Sequence, residues 1–261
     1  MDLRKLWTSV AALTLVLAIG CGGGSEAPAE SESAAPAAES APAAAAATEG
    51  SAAITGQVVL EGDAPESEVI RMNADPVCVR EAPGETQTQF FVVGDDGALA
   101  NVFVYVKEGV SGSFDPPATI VTMDQKGCQY IPHVFGVQVG QPVEIMNSDP
   151  TLHNVHALPT NNDEFNTGQP VQGMKLERTF TAAEVMVPFK CDVHGWMNAY
   201  AGVLDHPFFS VSGDGGSFDI QSLPAGSYVV EAWHEKLGTQ TQNVTVGEGE
   251  TQEITFSFSV S

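Results

Sequence analysis

Residues 189–197 read Phe-Lys-Cys-Asp-Val-His-Gly-Trp-Met, so Cys191, His194 and Met197 lie within one short loop in the pattern C-x-x-H-x-x-M. Thiolate, imidazole and thioether together suit copper in both oxidation states. Soft sulfur favours Cu(I), imidazole serves Cu(II) as well, and a weak axial Met beside a His2Cys plane is the blue-copper arrangement. Zinc has no use for the thioether. A second imidazole is needed from a neighbouring strand, and Thr151-Leu152-His153-Asn154-Val155-His156 supplies it. The expected ligands of one copper ion are therefore His153, Cys191, His194 and Met197. Four protein ligands leave no open position for a substrate, which points to one-electron exchange and away from catalysis.

The elements that must position these groups read as strands. Alternation is visible in Val102-Val104-Val106 and in Ile254-Phe256-Phe258-Val260, with Gly, Pro, Asp and Asn between segments. Residues 137–145 form a strand pattern broken by a Gly140-Gln141 turn, and Asn147-Ser148-Asp149-Pro150 turns the chain back just before His153. No long amphipathic helix is visible. The pattern predicts an all-β chain of sandwich or barrel type.

On these motifs, residues 130–204 resemble the cupredoxins, the type 1 copper proteins of the amicyanin and plastocyanin kind. The likeness rests on V-x-I-x-N-x-x-x-x-x-H-N-V-H from Val143 to His156, on Thr179-Phe180-Thr181 and on the contracted C-x-x-H-x-x-M loop. It implies a Greek-key β-sandwich, the ligand set just named and Asn154 as a brace behind the ligands. It also implies that His194 reaches the surface within an apolar docking patch that includes Trp196 and Pro188, and that His156 is no ligand. Two departures are plain: Gly195 stands where amicyanin has Pro, which loosens His194, and Trp196 replaces a smaller aromatic.

A second resemblance, to the carboxypeptidase regulatory-like, prealbumin-type sandwich, rests on Ile-Thr-Gly-Gln-Val-Val-Leu-Glu-Gly at 54–62 and on residues 216–233. There Gly226 supplies a turn, and Phe218, Ile220, Tyr228 and Val230 supply an inward face. The expected organisation is a signal peptide (1–20), a tether (21–52), a discontinuous prealbumin-like sandwich (53–117 plus 205–261) and a cupredoxin (118–204) inserted in it. Two sandwiches in simple succession are the alternative.

The chain begins with Arg4 and Lys5, an apolar run over 10–19, and Gly20-Cys21, which matches a lipoprotein signal peptide with Cys21 as the lipidated residue. Simple cleavage without lipid and an uncleaved anchor are the other readings, and all of them place the remainder outside the cytoplasm, in the periplasm or at the cell surface. The Ala/Pro/Ser/Glu composition that follows cannot build a core and reads as a disordered tether. With 33 acidic against 10 basic residues, the net charge of −23 argues against nucleic acid and permits basic protein partners. If Cys21 carries lipid and Cys191 metal, Cys78 and Cys128 remain as a disulfide pair, or as two free or metal-binding thiols.

His133 is expected to pack or hydrogen-bond at a strand start. His206 and His234, beside carboxylates, are expected to make ordinary hydrogen bonds, with a second metal site as the rival reading. The function expected is a membrane-tethered carrier of single electrons, not an enzyme, serving a redox protein such as a c-type cytochrome or periplasmic dehydrogenase. The rivals are an extracytoplasmic copper-handling protein and a surface module binding glycan or protein.

Overall fold

The computed structural model describes residues 49–260. The expected signal peptide, Cys21 as its expected lipidation site, and nearly all of the expected tether lie outside the described residues. Within them the chain is almost entirely β, as its alternating pattern requires. Strands are numbered in chain order.

Strands β3 to β11 form two sheets. One runs in the order β5 (Val134–Gln138), β11 (Asn198–Leu204), β10 (Glu184–Lys190), β7 (His153–Ala157), β8 (Phe165–Gln169). The other runs β4 (Gln129–Ile131), β3 (Val121–Lys126), β6 (Pro142–Asn147), β9 (Lys175–Thr179). Both sheets contribute to one core, in which Tyr130, Val143 and Ile145 meet Phe135, Val155, Val187 and Phe189. Its strands alternate inward and outward residues, as in β6, where Val143, Ile145 and Asn147 are buried.

The remaining strands make a second pair of sheets. One is ordered β13 (Ser217–Leu223), β1 (Ala52–Glu61), β16 (Thr251–Ser259), and the other β12 (Phe209–Val211), β2 (Phe103–Glu108), β14 (Gly226–His234), β15 (Gly238–Val246). Phe218, Ile220, Tyr228 and Val230 all lie in its core, with Ile54, Val58, Phe256 and Phe258. Val260, which continues the inward alternation of Phe256 and Phe258 in the sequence, is instead 44% exposed, because β16 ends at Ser259 and the core ends with it.

A third apolar cluster joins the two sandwiches. Phe103 and Tyr105 of β2 and Phe209 of β12 pack with Val134, Tyr200 and Leu204 of β5 and β11. Gly136 and Gly202 are direct neighbours in the parallel β5–β11 ladder. A Cβ on Gly202 would come 2.3 Å from the Phe103 ring, and one on Gly136 would come 2.2 Å from Phe209. Two aromatic rings thus lie flat on a notch that only glycine leaves open. Beside it a buried His133–Glu235 pair bridges the sandwiches, with Tyr200 Oη donating to the same carboxylate at 3.3 Å.

The first half of the connection between β1 and β2 leaves its own sandwich, and Leu99 and Val102 return to it. Met72 and Cys78 are buried in the core of β3–β11. This connection carries the sole α-helix among the described residues, α1 (Pro76–Glu81). Asp75 caps its N-terminus by accepting from the Val77 N–H at 2.7 Å, and Pro76 occupies the first turn, where a missing N–H costs nothing.

Candidate metal centre

The loop from Cys191 to Met197 joins β10 to β11, and two backbone bonds close it: Cys191 N–H to the Met197 carbonyl at 3.2 Å, and Met197 N–H to the His194 carbonyl at 2.9 Å. His153 opens β7, which pairs with β10 so that Lys190 lies opposite His156. The strand pairing therefore brings His153 to the same end of the sandwich as the loop. His153 Nδ1 and His194 Nδ1 are 2.9 Å apart, and the Cys191 Sγ lies 4.0 Å from His194 Nδ1. Cys191, His153 and His194 form one cluster whose ligand atoms are all within 4.8 Å of one another. Met197 is buried beside them in the same core.

Each imidazole is held from behind by a carboxylate. His153 Nε2 donates to Asp149 Oδ2 at 2.9 Å, and His194 Nε2 donates to Asp75 Oδ2 at 3.1 Å. A carboxylate only accepts, so both Nε2 atoms carry hydrogen and both Nδ1 atoms face inward, with one hydrogen between them at 2.9 Å in the metal-free protein. Asp149 also accepts from the Gly127 and Cys128 N–H groups, both at 2.8 Å. Burial pushes the Asp149 carboxyl up, but the bonds from His153, Cys128 and Gly127 outweigh it and hold it below the ordinary carboxylate range. The Cys191 thiol follows the same logic. Burial raises it, and hydrogen bonds from His153 and from the backbone at Asn154, His194 and Val193 bring it below the usual thiol value. Of these, His194 N–H reaches the sulfur at 3.3 Å.

Two imidazole nitrogens and a sulfur thus converge in a buried space, where a shared proton holds them together in the metal-free protein and a soft cation would take its place. The donor set fits copper: thiolate and two imidazole Nδ1 atoms, with a thioether in the adjoining core. In the metal-free protein the nearby Asp149 and Cys191 act against burial to raise His153, so a proton on that ring does part of the same service.

Asn154 lies behind this centre. Its Oδ1 accepts from the Asp192 N–H at 2.5 Å and its amide donates to Asn166, tying β7 to the cysteine loop. His156 points away, between Glu164 at 2.8 Å and Asp192 at 3.0 Å. His133 donates from one nitrogen to Glu235, and its Nδ1 is 3.1 Å from the Asn198 carbonyl. His206 Nδ1 accepts from the Phe208 N–H, and His234 Nδ1 accepts from Lys236 and Leu237. Neither joins a potential ligand cluster among the described residues.

His194 does not reach the surface as the family resemblance implies. It is 3% exposed. Asp75 and the Cys78–Cys128 disulfide cover its outer edge, with Cys78 Sγ 3.6 Å from Nε2. Trp196 lies against His194 with ring centroids 5.0 Å apart, and its Nε1–H donates to the Cys128 carbonyl at 3.0 Å. The indole is half-buried, as is Pro188 in β10. Asp75, Asp149 and Thr151 are the functional residues that the sequence reading missed. Asp149 had a signal, four residues before His153 in a turn; Asp75, 119 residues from His194, had none.

No family model matches the chain, and none of the curated proteins matches it. Parts of it are similar to solved copper proteins. The copper-containing nitrite reductase of Thermus scotoductus SA-01 is 22% identical over 40% of this chain and 26% of its own, with a TM-score of 0.32. A purple cupredoxin from Nitrosopumilus maritimus is 20% identical over 32% of this chain and 98% of its own, at 0.28. A reduced amicyanin variant is 24% identical over 32% of this chain and 81% of its own, at 0.29.

Proposed function

We propose that this protein carries single electrons through a type 1 copper site formed by His153, Cys191, His194 and Met197, held outside the cytoplasm by a lipid on Cys21. The observation that carries the reading is the convergence of two imidazole Nδ1 atoms and the Cys191 sulfur, with both rings locked by carboxylates. Copper bound there would supply one-electron exchange between Cu(I) and Cu(II).

The chain's own residues do the rest. Asp149 and Asp75 hold the outer nitrogen and the orientation of each imidazole, and His153 with the backbone N–H groups around Cys191 lowers its thiol and so favours the thiolate. Burial of His153, Cys191, His194 and Met197 keeps water away, so little rearranges when the charge of the centre changes. With the edge of His194 covered, Trp196 is the aromatic group that links this ligand to the surface. Exposed Leu152 and Val193 are the chain neighbours of His153 and His194, and give that end an apolar face. The acidic surplus suits a basic redox partner such as a c-type cytochrome.

The test is the visible absorption and EPR spectrum of the Cu(II)-loaded protein beside its Cys191→Ser variant. An intense thiolate-to-copper band with narrow hyperfine splitting, lost in the variant, is expected. A pale, ordinary copper spectrum in the wild type would sink the proposal and favour a copper-handling role.

A further inference from the structure

Within the loop that carries His194, Trp196 packs on the ring but no side chain holds its Nε2. Val193 is 47% exposed, and the space that a side chain at Gly195 would enter has no atom within 4 Å. The ring is held instead by a residue from another part of the chain. Asp75 arrives on the connection between β1 and β2, strands of the other sandwich. Its Oδ1 is committed to the Val77 N–H at the start of α1. Its Oδ2 is left to accept from Thr151 Oγ1 at 2.9 Å and from His194 Nε2 at 3.1 Å. The disulfide fastens this arrangement on both sides. Cys78, in α1, touches His194, while Cys128 presents its N–H to Asp149, the residue behind His153.

We infer that Asp75 is a positioning residue of the metal centre, contributed by the second sandwich, which holds His194 by its Nε2–H so that Nδ1 stays bare and aimed at Cys191 and His153. The disulfide keeps it there by stitching α1 to the β3–β4 turn, whose Gly127 and Cys128 N–H groups donate to Asp149. The inference rests on the ligand assignment under the proposed function. It adds that the second sandwich is a working part of the centre, since its long connection supplies half of the pair of carboxylate clamps.

The substitution Asp75→Asn tests tautomer choice while sparing shape. The Val77 N–H needs an oxygen, which fixes the amide with Oδ1 toward α1 and its NH2 toward His194. The amide then donates to Nε2, and the ring must carry its hydrogen on Nδ1, where it blocks the metal. Long-range 1H–15N correlation of the histidine rings in the metal-free, full-chain protein reads this directly. In the wild type His194 is expected as the Nε2–H tautomer. In Asp75→Asn it shifts to Nδ1–H, while His206 and His234, whose Nδ1 atoms accept from backbone N–H groups away from the centre, do not change and certify that the fold is intact. Zinc, used as a redox-silent probe, should bind the variant at least about tenfold more weakly.

A wild-type His194 in the Nδ1–H form overturns the inference without any variant. So does an unchanged His194 tautomer in Asp75→Asn, or in Asp75→Ala, where a mixture is expected. The two readings fail separately. If the tautomers behave as expected but no copper–thiolate band appears, the clamp stands and the electron-carrier reading falls. If the band appears and Asp75→Asn leaves His194 unchanged, the clamp falls and the carrier reading stands.

Discussion

At the scale of single residues, the histidines divide by what stands behind them. His153 and His194 each have a carboxylate at the outer nitrogen, whereas His234 has only backbone N–H donors at Nδ1 and lies buried against Phe91 and Phe258. Burial, reinforced by His133 and Lys236 and opposed by Glu235, lowers His234 to about 4. Its folded-state value is below its unfolded one. The neutral ring therefore contributes stability that is fully present above the ordinary histidine range and is lost as pH falls from about 6.5 toward 4. That contribution is of the order of 3 kcal/mol. Thermal melts of the metal-free protein between pH 7 and pH 4 should show the loss, and His234→Gln, which cannot titrate, should remove most of the slope. An equal slope in the variant would assign the acid sensitivity elsewhere.

At the scale of elements, the ladder β5–β11 has two jobs: its core face leads to the metal loop, and its other face receives the second sandwich. Gly202→Ala would drive a methyl group into the Phe103 ring, 2.3 Å from its nearest atom. Overpacking of this kind costs about 1–3 kcal/mol. Calorimetry is expected to show a lower melting temperature, and Phe103→Leu in the same chain should recover part of it by clearing the space. The spectrum of the loaded metal should change little, because Gly202 lies at the far end of β11 from Met197.

These elements show why some of the molecule was legible in the sequence and some was not. The strands were legible because their alternation is local. Three of the proposed ligands were legible because a thiol, an imidazole and a thioether stand in seven consecutive residues, and His153 because a turn delivers it at a strand start. Gly136 and Gly202 carry no local signal: glycine is required there by rings of a different sandwich. The short helix α1 was overlooked although Asp75-Pro76 is a helix-start signature, since six residues give no period to recognise. The cover over His194 was invisible for the reason that the resemblance spans one sandwich and the cover comes from the other.

At the scale of the whole molecule, charge is the dominant property. A chain with 10 basic and 33 acidic residues attracts a cationic partner over distances comparable with the Debye length, about 10 Å at 0.1 M salt. Electron exchange with a basic cytochrome c should therefore slow as ionic strength rises, while exchange with an acidic partner of equal driving force should quicken. Stopped-flow rates across a salt series decide it. Rates that ignore salt would mean that the acidic residues lie away from the docking end.

The order of the strands also has a consequence in time. β1 is the first strand of the described chain, yet its two neighbours, β13 and β16, are among the last. A chain made or exported from its N-terminus must carry Ile54, Val58 and Leu60 without strand partners until nearly everything else has emerged. The nine strands β3 to β11 are free to pair among themselves meanwhile. The outer sandwich therefore closes last, around an inner one already formed, and such distant pairings are slow. During that interval β1 and β2, whose strand partners all follow β11, are the unpaired apolar edges of the chain.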